Sequence, residues 1–325
     1  MSALASDPAP AFVPVQLGCC HEAERCLICP PPPEVTPELV GALVHCYREE
    51  RGSERPLEVR FFGGPPPSDD LLDAIGPLPF SVRVRPDLLS RAEVDRLRQR
   101  GVCRIELDAL TWQPSTLREA GRHYGPRRLH EISEGVAALG IEVGGVLAPG
   151  LPNHSHALAL QDARLAAQHW TFVRLHPVLV LAEARLRDLL ERHRYVPLEL
   201  GEAVTVCRDM IDLLEPAGVQ IVRVGVQPGP DGLGRAVAGP RHSSLRELVE
   251  ARRTLERLRS ACDGLPAGSQ VVVRCAPADQ TRTRGPYNLH LRSLRAELNL
   301  AEVHVDPDPA LPRGALRIHL IEENP

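Results

Sequence analysis

Leu17-Gly18-Cys19-Cys20-His21-Glu22-Ala23-Glu24-Arg25-Cys26-Leu27-Ile28-Cys29-Pro30 is the stretch from which the rest of the chain can be read. It directly follows an alternating, strand-like run, Ala11 to Leu17, and it gathers four of the nine cysteines. Cys26 and Cys29 have the two-residue spacing that lets a chain wrap a metal centre. A structural zinc site wants two separated ligand pairs, and no partner pair follows downstream, so zinc stays open but incomplete. The other cysteines (Cys46, Cys103, Cys207, Cys262, Cys275) are scattered singly, as in a reducing compartment, which disfavours disulfides. The reading that fits best is an iron–sulfur cluster loop.

A four-iron four-sulfur cluster held by three thiolates keeps one iron open. Such an iron can chelate the amino and carboxylate groups of S-adenosylmethionine, and the cluster can then reduce the sulfonium to release a 5′-deoxyadenosyl radical. The loop therefore predicts chemistry carried by the cofactor, with the protein positioning and shielding it.

Working outward, strand and helix signals alternate. Residues 1–10 read as a disordered start. Thr36 and Pro37 open a helix that Gly52 ends, with Val40, Leu43, Val44 and Tyr47 as its apolar stripe. Strand runs follow at Leu57 to Phe62, Ser81 to Arg85, Cys103 to Asp108, Glu142 to Leu147 and Thr171 to Leu175. Ser90 and Glu93 form a capping box for a helix closed by Gly101, and further helices are expected over 129–139 and 156–168.

Together these make six strand-then-helix units, an α/β class with a partial parallel (β/α)6 barrel, assigned to residues 11–262. The unusual residues follow strand carboxyl ends, where a parallel barrel places its site: Cys19 to Cys29, Gly63-Gly64, Arg85 to Asp87, Pro149-Gly150 and His176-Pro177. Glu106 sits inside an otherwise apolar strand, where a lone carboxylate is costly unless paired or ligand-facing. Beyond strand six come helices near 182–194 and 202–215, a strand-like run over 219–226, and a helix with a second capping box, Ser244 and Glu247. Residues 263–325, with short strands at 271–275, 301–305 and 315–321 and a helix near 288–298, read as a small α+β appendage.

With 43% hydrophobic and 25% charged residues the composition is that of a soluble globular protein, and no apolar run reaches membrane-span length. This and the absence of a recognisable targeting signal place the chain in the cytoplasm, without a membrane partner. The net charge of −4 gives no global attraction to nucleic acid. All 38 basic residues are arginine, which removes Schiff-base chemistry and any lysine general base.

The motifs resemble radical S-adenosylmethionine proteins of the Elongator catalytic-subunit type, including short bacterial relatives without an acetyltransferase domain. Gly18-Cys19-Cys20-His21 and Cys26-Leu27-Ile28-Cys29-Pro30 match the family's cluster loop, with Cys20 where a proline usually stands. The likeness continues through Phe61-Phe62-Gly63-Gly64, Arg85-Pro86-Asp87, Glu106-Leu107, Pro149-Gly150-Leu151-Pro152, Arg174-Leu175-His176-Pro177, Tyr195-Val196-Pro197-Leu198, Val222 to Pro228 and Val237-Ala238-Gly239-Pro240. It implies Cys19, Cys26 and Cys29 as ligands of a 4Fe-4S cluster and an external electron donor. It also implies Gly63 and Gly64 against the methionine amino group of S-adenosylmethionine, with Glu106 and Arg174 on its adenosyl side. The family's reaction modifies a uridine in transfer RNA, so an RNA base is one expected substrate and a small molecule another. Pro65 and Leu110 depart from the family pattern, where a threonine or glutamate and a glutamine are usual. They support the alternative of a catalytically lapsed module with a structural or partner-binding role.

Two further signals are weaker. His154-Ser155-His156 could be a metal pair, although loop histidines are more often solvent-facing. Arg282, Arg284, Arg292 and Arg295 give the appendage a basic stretch, which is more often a solvated face than a nucleic-acid groove.

Overall fold

The computed structural model describes residues 11–17, 27, 35–52, 55–226 and 235–321. Cys19, Cys20, His21, Cys26 and Cys29, together with residues 1–10, lie outside the described residues. The chain divides into two compact units, residues 1–243 and 244–325.

The first unit is built on a seven-stranded parallel sheet. Its elements are β1 (Ala11–Gln16), α1 (Pro37–Arg51), β2 (Leu57–Phe62), α2 (Asp69–Ile75), β3 (Phe80–Val84), α3 (Arg91–Gln99), β4 (Val102–Leu110), α4 (Pro114–Glu119), α5 (Pro126–Ala137), β5 (Glu142–Leu147), α6 (His156–His169), β6 (Phe172–Leu175), β7 (Val180–Leu181), α7 (Leu186–Glu191), α8 (Leu200–Leu214), β8 (Gln220–Val224) and β9 (Ala236–Ala238). The sheet order is β1-β2-β3-β4-β5-β6-β8, and β7 pairs with β9 in a separate antiparallel ribbon. This is an α/β half-barrel. The six strands expected from sequence are all present, and the run after them, read as lying beyond the barrel, is its seventh strand: β8 pairs in parallel with β6. Two helices and the β7 segment separate β6 from β8, and this long connection hides the strand–helix alternation.

Local chemistry accounts for the element starts. Thr36 accepts from Leu39 N at 3.3 Å, Ser68 from Leu71 N at 3.4 Å and Ser90 from Glu93 N at 3.1 Å, each satisfying a free donor of a helix's first turn. Ser244 stands at the N-cap of α9 (Leu245–Ala261) without the expected capping hydrogen bond.

In β1 and β2 buried residues alternate with more exposed ones, so one sheet face is buried and the other stays open. The buried face carries Val13, Val15, Val59, Phe61, Val82, Ile105, Leu107, Val143, Val173 and Leu175. Strand pairing aligns Gln16 with Phe62, Phe62 with Arg83, Arg83 with Glu106, Glu106 with Gly144 and Gly144 with Phe172 along the opposite face. This is the barrel's inner face.

The second unit contains α9, β10 (Gln270–Cys275), α10 (Gln280–Arg284), α11 (Leu289–Glu297), β11 (Glu302–Pro307) and β12 (Leu316–Ile321). The sheet order is β11-β10-β12, and Leu258, Cys262, Val271, Val273, Leu294 and Val305 form its core. Leu258 in that core ties α9 to this unit, whereas the sequence reading left residues 245–262 with the barrel.

Candidate functional site

Glu106, on β4, is the centre of the inner face, with a carboxylate held by Arg83 from the adjacent β3 and Arg174 from β6, one strand further away. Arg174 donates from Nε to Oε1 at 2.8 Å and from its terminal nitrogen to Oε2 at 3.1 Å, a bidentate fork. Arg83 Nε stands 3.0 Å from the same Oε1. Arg174 reaches Glu106 across β5, where Gly144, in register with Glu106, carries no side chain. A Cβ on Gly144 would lie 2.6 Å from the Phe172 ring and 2.2 Å from the Phe172 carbonyl, so only glycine fits there.

Burial alone would raise the Glu106 pKa. The charges of Arg83 and Arg174, with their hydrogen bonds, outweigh that and hold the carboxyl below its ordinary value, ionised at neutral pH. Arg223, paired in register with Arg174, donates to the carbonyls of Gly225 at 3.1 Å and Val226 at 3.2 Å. Burial and the two other arginines pull its pKa down. Two guanidiniums therefore share the Glu106 carboxylate, and the third, Arg223, adds its charge beside them. Sequence reasoning singled out Glu106 and Arg174 but not Arg83 or Arg223, although the same signal, a charge inside an apolar strand run, marks all four.

His176, two residues beyond Arg174, is half-buried, and its buried Nε2 has no hydrogen-bond partner among the described residues. Burial, then the charges of Arg83, Arg174 and Arg223, push its pKa well below the usual histidine value. The folded chain thus keeps His176 neutral while the unfolded chain protonates it below about pH 6.5. As pH falls through that value the unfolded state binds the extra proton, and stability should fall by up to about 1.4 kcal/mol per pH unit from this group. Urea unfolding at pH 7.0 and 5.5 should show a shallower pH dependence for His176→Gln than for the parent chain. Equal slopes would remove this role.

Gly63 and Gly64 end β2 as expected. Gly63 has φ +146°, and a Cβ on it would sit 2.1 Å from the Leu17 carbonyl oxygen. Its requirement for glycine comes from the end of β1, directly before the cysteine loop, while Leu17 N donates to Phe62 O at 2.7 Å. The Gly64 carbonyl accepts from Arg85 N at 3.0 Å. The Arg85-Pro86-Asp87 motif is an internal tie: Arg85 is buried, its Nε donates to Asp87 Oδ1 at 2.9 Å, and a second bond joins its terminal nitrogen to Oδ2.

Leu27, between Cys26 and Ile28, is 4% exposed and lies in an apolar cluster with Leu110, Ala148, Leu151, Val178, Val180, Leu186 and Tyr195. These residues end β4 or follow the carboxyl ends of β5 and β6. Leu186 N donates to the Leu27 carbonyl at 3.0 Å. Leu110 has φ +66° and belongs to this cluster, so the position that departs from the family pattern is packed as core.

The histidines of His154-Ser155-His156 do not act together. His154 is buried, contrary to the solvent-facing expectation, with Nε2 3.0 Å from Asp162 Oδ2 and 3.4 Å from Thr111 Oγ1. His156 instead pairs with Asp209 at 2.8 Å, while Ser155 caps α6. In the second unit Arg284 donates to Val305 O at 3.0 Å, and Arg282 lies 3.9 Å from Glu247.

Comparison with known proteins gives one family match over part of the chain and several similar folds. Residues 170–257 match the Radical_SAM C-terminal domain. The fold is similar to the archaeal Methanocaldococcus infernus Elp3 with an N-terminal deletion, at TM-score 0.61 and 16% identity over 82% of this chain and 71% of that one. It is also similar to Escherichia coli coproporphyrinogen III oxidase HemN, described as a radical SAM enzyme, at TM-score 0.50 and 14% identity over 64% of this chain and 53% of that one. HydG, a maturase of the [FeFe]-hydrogenase, aligns at TM-score 0.51 and 14% identity, covering 73% of this chain and 54% of its own. At these identities the likeness is one of fold. No curated protein matches the sequence. Among the described residues no helix is long and apolar enough to cross a membrane.

Proposed function

We propose that this chain is a radical S-adenosylmethionine enzyme in which Cys19, Cys26 and Cys29 hold a 4Fe-4S cluster at the carboxyl mouth of the half-barrel. The observation that carries the reading is the seat of Leu27. Cys26 is joined to it, Cys29 is two residues on, and a chain extends at most about 3.6 Å per residue, so these thiols stay close to the strand ends. Leu17, pinned against Gly63, puts the same bound on Cys19. Three thiolates and no second pair suit a cluster with one open iron. When bound, that cluster supplies the electron, received from an external donor, that cleaves S-adenosylmethionine to a 5′-deoxyadenosyl radical.

The chain's own part is positioning. Leu27, seated in the apolar cluster, and Leu17, packed against Gly63, are the described anchors beside the cysteines, while Gly63-Gly64 offer backbone for the methionine end. Glu106 and Arg174, locked to each other, offer a fixed polar surface for the adenosyl side. Arg83 and Arg223 add positive charge to the inner face beyond what Glu106 neutralises. An anionic or flat guest, an RNA base with its phosphate or a small acid, suits such a surface, since arginine both pairs with phosphate and stacks on a base.

The packing of Leu110 into the core favours a second reading, a lapsed module that keeps the barrel for partner binding. Anaerobic reconstitution with iron and sulfide, reduction and addition of S-adenosylmethionine separates the two. Formation of 5′-deoxyadenosine is expected of the enzyme. An intact cluster that neither binds nor cleaves the cosubstrate establishes the lapsed module.

A further inference from the structure

We propose that His130, Glu134 and His169 form a divalent-metal site of the zinc class in the outer helical layer, separate from the cysteine loop. His130 and Glu134 stand four residues apart on α5 and so share one helix face, and His169 is the last residue of α6. His130 Nε2 lies 3.3 Å from Glu134 Oε2, and His130 Nδ1 lies 3.4 Å from His169 Nε2. One ligand atom from each residue can be chosen so that all lie within 4.8 Å of one another. Donors around tetrahedral zinc, each about 2.0–2.1 Å from the metal, stand roughly 3.3 Å apart. Rotation of the side chains closes the difference, and none of the three is buried.

The backbone behind the three is already fixed. Trp170, next to His169, donates from Nε1 to Ser133 Oγ at 2.9 Å, and Ser133, next to Glu134, donates to the Leu129 carbonyl at 2.7 Å. Both residues are buried. Trp112 stacks on the His169 ring, with centroids 5.4 Å apart and planes 29° from parallel, and so sets its orientation. Ligands held by such supporting contacts bind without paying much ordering entropy. Without metal the same atoms can close a hydrogen-bond chain from Glu134 through His130 to His169. Two imidazoles and one carboxylate suit a borderline cation such as zinc rather than calcium or magnesium, with water completing the coordination.

The test uses the full chain with Cys19, Cys26 and Cys29 replaced by serine, so that thiolates do not compete for metal. Zinc titrated calorimetrically should bind at one equivalent with a dissociation constant of about 1 µM or tighter, weakened about tenfold or more by His169→Ala. Cobalt(II) added to the unaltered chain covers the case in which the triple variant does not fold. The difference spectrum between it and His130→Ala should then show visible ligand-field bands without thiolate charge transfer. Zinc affinity unchanged in both His130→Ala and His169→Ala, or a cobalt difference spectrum without those bands, overturns the site.

Discussion

Glu106→Gln should destabilise the first unit by about 3–5 kcal/mol, the usual cost of breaking a buried ion pair by removing one partner. Glu106 is 8% exposed, and its carboxylate is the group that Arg83 and Arg174 share, with Arg223 adding to the same field. Glutamine keeps the shape and one acceptor but leaves the guanidiniums without a countercharge. Urea unfolding at pH 7 measures the loss. Arg83→Met in the Glu106→Gln background should restore part of it by reducing the repulsion; a loss below about 1 kcal/mol would mean that water already neutralises the cluster. The pH dependence has a definite sign. Because the folded pKa of Glu106 is depressed, its contribution is complete above the ordinary carboxylate range and disappears as pH falls through the folded value.

Most of the barrel was legible because parallel strands buried on one face announce themselves as short apolar runs, each closed by a turn or a cap. Val219 to Val226 announced itself equally well, but its place in the sheet did not. The intervening α7, α8 and β7 broke the alternation, and pairing between distant segments is not written in any local pattern. Glu106 stood out for the same reason that it is paired, since an apolar strand does not carry an isolated charge. Arg83 and Arg223 carried the same signal and were passed over because arginine's long stem makes it look at home on any half-exposed strand.

The glycines show the limit in another way. The pair Gly63-Gly64 reads from sequence as a place for a ligand to approach, while the structure shows the Leu17 carbonyl already against Gly63. That contact with the chain itself accounts for glycine at Gly63, and the methionine-binding role of the pair rests on the proposal above. Leu27 was invisible: a leucine between two cysteines has no pattern of its own, and its partners come from segments far later in the chain.

Cys19→Ala, Cys26→Ala and Cys29→Ala should each abolish the cluster, whereas Cys20→Ala should keep it. Adjacent side chains in an extended segment point to opposite sides, so Cys19 and Cys20 do not both reach one centre. Cys26 and Cys29 flank the buried Leu27 in sequence, and each thiolate of a three-ligand set is indispensable because nothing else downstream is spaced to replace it. The most direct test of the account is the iron and sulfide content of these four variants beside the parent chain after anaerobic reconstitution. About four irons and four sulfides per chain in the parent and in Cys20→Ala, and close to none in the other three, is the predicted result. Retention of the cluster by Cys19→Ala with its loss in Cys20→Ala, or a parent chain that takes up zinc and no iron–sulfur cluster, would contradict it.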